Sequence, residues 1–185
     1  MAEPTRLLWL DLETTGLDRH HDHILEIGCV MTNRVLEKKG QFARVIRHDP
    51  LPPMPDVVVR MHEKSGLLEL LTADHAEPLA VAEQSLLDWM ERMGCEDGRT
   101  MLAGTGVSHF DQFFIERLMP EVWKKLHYGL IDVGVLRRFT ELTVGREVAG
   151  SLTAQPEIGH RALDDARAAL ASAHRWAARI SSGRH

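Results

Sequence analysis

Leu7–Asp18, LLWLDLETTGLD, sets four large apolar residues ahead of two acids, Asp11 and Glu13, and a Thr-Thr-Gly turn. A short continuous apolar run closed by turn residues reads as a buried strand. Side chains two apart in a strand point to the same face. Asp11 and Glu13 therefore aim together at the strand end, with Leu12 turned toward the core. Two converging carboxylates can hold a hard cation through oxygen ligands, and without one they repel and raise each other's pKa. A pair of turn acids facing water fits the same letters.

Working outward, Ile24–Thr32 (ILEIGCVMT) reads as a second strand after a polar loop at 18–23, and 40–48 (GQFARVIRH) as a third. The four prolines in 49–56 dictate an irregular connector, and 56–71 is ambiguous between helix and strand. Leu79, Ala82, Leu86, Trp89, Met90 and Met93 fall at helical spacing from Pro78 to Gly94. A short strand at 100–104 follows, then a helix at Phe110–Leu118, closed before Pro120. Residues 128–133 form a strand or a loop leading into a helix near 136–141. A last helix within 160–180 carries Leu163, Ala166, Leu170, Ala173 and Ala177 on one stripe. Three strands, then helices alternating with short strands, predict one α/β domain over 1–185, a mixed sheet flanked by helices.

The 185 residues carry two cysteines, Cys29 and Cys95, with no CxxC spacing, which suits a reduced, cytoplasmic setting without disulfide or zinc. No apolar run approaches the roughly 18 residues a membrane span needs, and the polar, acidic MAEPTR start is unlike a secretory signal. A net charge of −5 argues against a protein that grips long duplexes through many phosphates. It permits a small nucleic-acid substrate held by metal ions and a few local contacts. One local basic bias exists, between Arg117 and Arg146, and fits a solvated face or a binding patch.

Two further stretches carry acids. In VSHFDQFFIERL, Asp111 shares a helix face with Ile115 and Leu118, where a charge is costly unless it meets a metal or a donor. Ser108-x-x-Asp111 also matches a capping box, and spacing leaves the two open. In EIGHRALDDARAAL, His160 follows Gly159 and lies at a helix entrance, with Asp164 and Asp165 in the first turn, where the dipole favours negative charge. On a continuous helix His160 and Asp164 share a face and Asp165 sits about 140° away, so geometry does not choose between the two acids.

Taken in order, D-x-E-T-T-G-L, F-D with aromatics behind it, and H-x-x-x-x-D resemble the three motifs of the DEDDh exonuclease superfamily, whose fold is ribonuclease H-like. Within it the chain is most similar to oligoribonucleases, through MHEKSGLLEL, the LAG before the second motif, LHYGLIDVGVL and HRALDDAR. The resemblance implies 3′-to-5′ exonucleolysis of short single-stranded RNA or DNA, RNA favoured, to 5′-mononucleotides. It implies two divalent cations, Mg²⁺ or Mn²⁺, on Asp11, Glu13, Asp111 and Asp165, with His160 as general base. It further implies substrate contacts from Leu17, as a wedge between bases, and from His62 and Ser65. His127 and Tyr128 would reach into the partner of a homodimer.

Three departures stand out. The second motif, AGTGVSHFD, is one residue longer than the oligoribonuclease form and lacks its asparagine. Gly129 replaces an arginine, and Gly134 and Val135 replace a Ser-Thr pair. In the family the arginine and hydroxyls cap the 5′ phosphate of a dinucleotide, so their loss predicts a weaker preference for two residues. A proofreading-like DNA exonuclease acting on longer strands, and a catalytically retired nucleic-acid-binding relative, are the competing readings.

Overall fold

The computed structural model describes residues 3–156 and 159–183. Met1, Ala2, Glu157 and Ile158, which open the quoted N-terminal and third-motif stretches, lie outside them. Five strands form one sheet: β1 (Arg6–Thr14), β2 (Ile24–Asn33), β3 (Lys38–Val45), β4 (Thr100–Gly104) and β5 (Leu126–Asp132), in the order β3-β2-β1-β4-β5. β1, β2 and β3 form an antiparallel meander, and β4 and β5 join parallel to β1. The mixed α/β architecture expected from the sequence is the one observed.

Both faces of β1 are covered, which explains its unbroken apolar run. Leu8, Leu10 and Leu12 pack, with Ile27, Cys29 and Met31 of β2, against helices α3 (Leu79–Arg92), α4 (Asp111–Leu118) and α5 (Pro120–Lys125). Leu7 and Trp9 face the other way, onto Ala166, Ala169, Leu170 and Ala173 of α8 (Ala162–Ser182). Asp11 and Glu13 continue this second row, so the strand's parity carries both acids to the α8 side.

The ambiguous segment is two helices, α1 (Asp56–Lys64) and α2 (Leu67–Leu70), whose Leu67 packs with Leu25 and Val45 over the sheet end. Two more helices lie beyond what the sequence pattern predicts. Pro120, expected as a stop, is instead the first residue of α5, where its missing N–H has no helical partner to lose. After α6 (Val133–Thr143), the short α7 (Arg146–Leu152) buries only Ala149 and Leu152, too sparse a stripe to show as periodicity. Among the described residues no helix is long and apolar enough to cross a membrane.

Candidate active site

β1 delivers Asp11 and Glu13 where two neighbouring elements run out. The β1–β4 ladder ends at Trp9↔Ala103. Beyond it the Leu12 N–H donates to Asp111 Oδ1 at 3.1 Å, so the first residue of α4 takes the place of a strand partner. Asp111 is 3% exposed. The capping box does not form: α4 has Phe110 at its N-cap with no side-chain cap bond, and the Ser108 hydroxyl donates to Asp132 Oδ2 at 2.6 Å.

The third motif arrives from the opposite face. Gly28, the β2 partner of Asp11, lets the backbone of Ala162 and Leu163 down onto the sheet. A Cβ on Gly28 would stand 2.1 Å from that backbone. Glu26, the partner of Glu13, is buried and binds the Arg161 guanidinium through both carboxylate oxygens, at 2.7 Å for the shortest contact. It also accepts the Ala162 N–H at 3.0 Å. This clamp fixes the start of α8 and resolves the choice left open by spacing. Carboxylate oxygens of Asp11, Glu13 and Asp165 lie within 4.8 Å of one another. Asp164 instead accepts from Arg167 at 2.7 Å.

The acids strain against each other electrostatically. Burial, then the charges of Asp111, Asp165, Glu13 and Glu26, push Asp11 well above the usual carboxylate range. Burial, Asp165 and Glu26 raise Glu13 to about 8, with Arg161 opposing. Burial raises Asp111 to about 7, although its own backbone N–H and that of Leu12 favour the charge. Burial raises Asp165 as well, opposed by the Arg161 backbone and by His160. Crowded, desolvated carboxylates with elevated proton affinity and oxygen-only donors fit a hard divalent cation, which would relieve the repulsion that protons otherwise relieve.

His160 is exposed in the turn before α8, with φ at +64°, a left-handed conformation uncommon for a side-chain-bearing residue. It stands off the helix, as expected from Gly159. Leu17 is 84% exposed on a loop pinned by Thr15 and the Asp18 N–H to Asp22, and by Arg117 to the Arg19 carbonyl. His62, in the last turn of α1, is fully buried rather than open to solvent. Its Nε2 lies 3.0 Å from the Thr14 carbonyl and its Nδ1 3.8 Å from Glu13. Burial and His160 hold it below the usual imidazole range, against Thr14 and Glu26. Ser65 donates to the His62 carbonyl at 3.3 Å. His127 and Tyr128 are not brought to the acids. They stack at 4.3 Å between centroids on the edge strand β5, with β4 between them and β1, and Tyr128 is 72% exposed.

Sequence reading missed Glu26, Arg161 and Asp132 as parts of the site's scaffold. An acid inside the apolar run ILEIGCVMT was the available signal for Glu26. Asp132 accepts from the N–H groups of Gly106, Ser108 and Gly134 and from the Ser108 hydroxyl. Burial opposes its charge, yet these donors hold Asp132 below its ordinary range. It thereby locks the second-motif turn to the start of α6.

The family model described as Exonuclease matches residues 8–172. The oligoribonuclease of Rhodococcus jostii (strain RHA1) is 36% identical over 170 residues, 89% of this chain and 82% of its own. The mitochondrial oligoribonuclease of Bos taurus is 33% identical over 163 residues, 86% and 67% of the two chains. Among solved structures, exonuclease I from Methylocaldum szegediense superposes with a TM-score of 0.73 at 17% identity. It covers 96% of this chain but 41% of that one. E. coli exonuclease I in complex with a 5cy-dT13 oligonucleotide gives 0.69 at 16% identity, over 97% and 42%. At such identities the structural likeness speaks for the fold alone.

Proposed function

Because the chain belongs to the exonuclease family whose model it matches over residues 8–172, we propose that it cuts short single strands from the 3′ end. It releases 5′-mononucleotides and favours RNA over DNA. The observation that carries this reading is the convergence of Asp11, Glu13 and Asp165 within 4.8 Å, with Asp111 bonded to the residue between the first two. Two divalent cations, Mg²⁺ or Mn²⁺, held by these four carboxylates would supply an activated water and stabilise the charge developing on the departing 3′ oxygen.

The chain's own residues do the rest. His160, standing free of the helix, accepts the proton of the attacking water as the phosphorus–oxygen bond to the 3′ oxygen breaks. The Glu26–Arg161 clamp keeps His160 and Asp165 in one register. Leu17 separates the last two bases. His62 and Ser65 act from beneath the Thr14 turn, shaping the pocket of the terminal nucleotide. Tyr128 projects from an edge strand, and Phe139 and Leu142 stand exposed on α6. Those groups support a homodimer in which His127 and Tyr128 serve the partner's site, and a base stacked on such a ring gains about 1–3 kcal/mol. The whole is one exonuclease domain working in the cytoplasm.

Digestion of 5′-labelled RNA and DNA oligomers of matched sequence tests the reading. Stepwise shortening from the 3′ end, Mn²⁺- or Mg²⁺-dependent and faster on RNA, is expected, and His160→Ala should lose about 10²–10⁴-fold in kcat. Faster digestion of DNA would favour the proofreading-like alternative. Intact oligomers under every divalent salt would leave only a retired binding protein.

A further inference from the structure

A cavity of about 590 Å³ opens from Asp11 and Asp165 and runs between α6 and α8 to Arg137, Arg138 and Trp176. Its length follows from α8. Asp165 and Trp176 are eleven residues apart, about 16 Å along the helix axis. Leu17, His62 and the Thr14 turn, where the proposed function puts the terminal bases, do not line this groove. The groove is therefore left for the strand on the 5′ side of the cut.

Among the described residues, Thr105, Gly106, His109, Gly134 and Val135 line this groove toward the acids, and several of the donors there are already engaged. The Gly106 and Ser108 N–H groups, the Ser108 hydroxyl and the Gly134 N–H all donate to Asp132. Gly129 and Val135 bring no hydroxyl or cation. One turn further along α6 the chemistry changes. Arg137 Nε meets Glu141 at 3.0 Å and Arg138 Nη1 meets it at 3.4 Å, so two guanidiniums share one carboxylate. The group keeps one net positive charge and spare N–H donors, both side chains more than half exposed. Guanidiniums of this kind match phosphate geometry.

We infer that the α6–α8 groove is a subsite for upstream phosphodiesters, bound by Arg137 and Arg138, so that catalytic efficiency rises beyond the dinucleotide. This deepens the exonuclease reading and rests on it. The basic bias between Arg117 and Arg146 then has a purpose at two of its members. Glu141 acts as a brake, competing with phosphate for both arginines.

The test is kcat/KM with Mn²⁺ on RNA of two and of five nucleotides, expressed as a ratio and repeated across salt. For the natural protein the ratio of pentamer to dinucleotide exceeds one. In Arg137→Gln/Arg138→Gln/Glu141→Gln, which removes the cations without leaving a bare carboxylate, the ratio drops roughly tenfold. The salt slope on the pentamer falls by about 0.7 for each phosphate that the arginines no longer neutralise. Glu141→Gln alone moves the ratio the opposite way, upward, because it frees both arginines. A structural role for the trio would not give effects of opposite sign. A ratio below one, or one indifferent to these changes, overturns the subsite while leaving the nuclease reading intact. Failure to cut either length overturns both.

Discussion

Asp165 owes its position to residues outside its own segment. Glu26 holds Arg161 and the Ala162 N–H, and together they set the first turn of α8 over the β1 acids. Replacing Glu26 with Gln strands a guanidinium that is only 25% exposed and weakens the hold on the helix start. The expected loss is about 1–3 kcal/mol, below that of a fully buried pair, in urea unfolding. Arg161→Gln should cost more, since the stranded group is then Glu26, only 3% exposed and set among the other acids. A change below about 0.3 kcal/mol in either variant would contradict the clamp. The pair was not legible in the sequence, because its members lie 135 positions apart and only docking joins them. Asp11 and Glu13 were legible, because strand parity alone makes them neighbours on one face.

At the scale of elements, the site exists because β1 outlasts β4 and because α8 can touch β2. The second condition rests on Gly28, where any Cβ meets the Ala162–Leu163 backbone. Gly28→Ala must push α8 off the sheet, taking Asp165 from Asp11 and uncovering Trp9 and Val30. A fall in stability of about 2–4 kcal/mol with loss of nuclease activity is expected, read by thermal unfolding. An unchanged melting temperature would show that α8 docks otherwise. Elements with a dense apolar stripe, α3 and α8, were readable from periodicity. The short α5 and α7 were not, since one or two buried positions leave no period to detect. The register that favours Asp165 over Asp164 was likewise hidden, being set by where α8 lands rather than by its own sequence.

Across the whole molecule, a chain of net charge −5 gathers three carboxylates within 4.8 Å, with Asp111 anchored beside them on the Leu12 N–H, and keeps its compensating arginines at the margins, Arg161 on one side and Arg137 and Arg138 on the other. That layout stores repulsion which a cation releases. Glu13 at about 8 and Asp111 at about 7 stand far above their unfolded values. Between roughly pH 4 and 8 the metal-free fold therefore binds more protons than the unfolded chain, and its stability declines as pH rises through that window. Cation binding must expel those protons, so affinity climbs with pH instead. Calorimetric titration with Mn²⁺ at pH 6 and pH 8 measures this directly. The natural protein should bind roughly ten- to a hundredfold tighter at pH 8, releasing protons, while Asp165→Asn and Asp111→Asn each weaken binding at both values. Mn²⁺ affinity that is indifferent to pH and survives both substitutions would contradict a two-cation site built from these four acids.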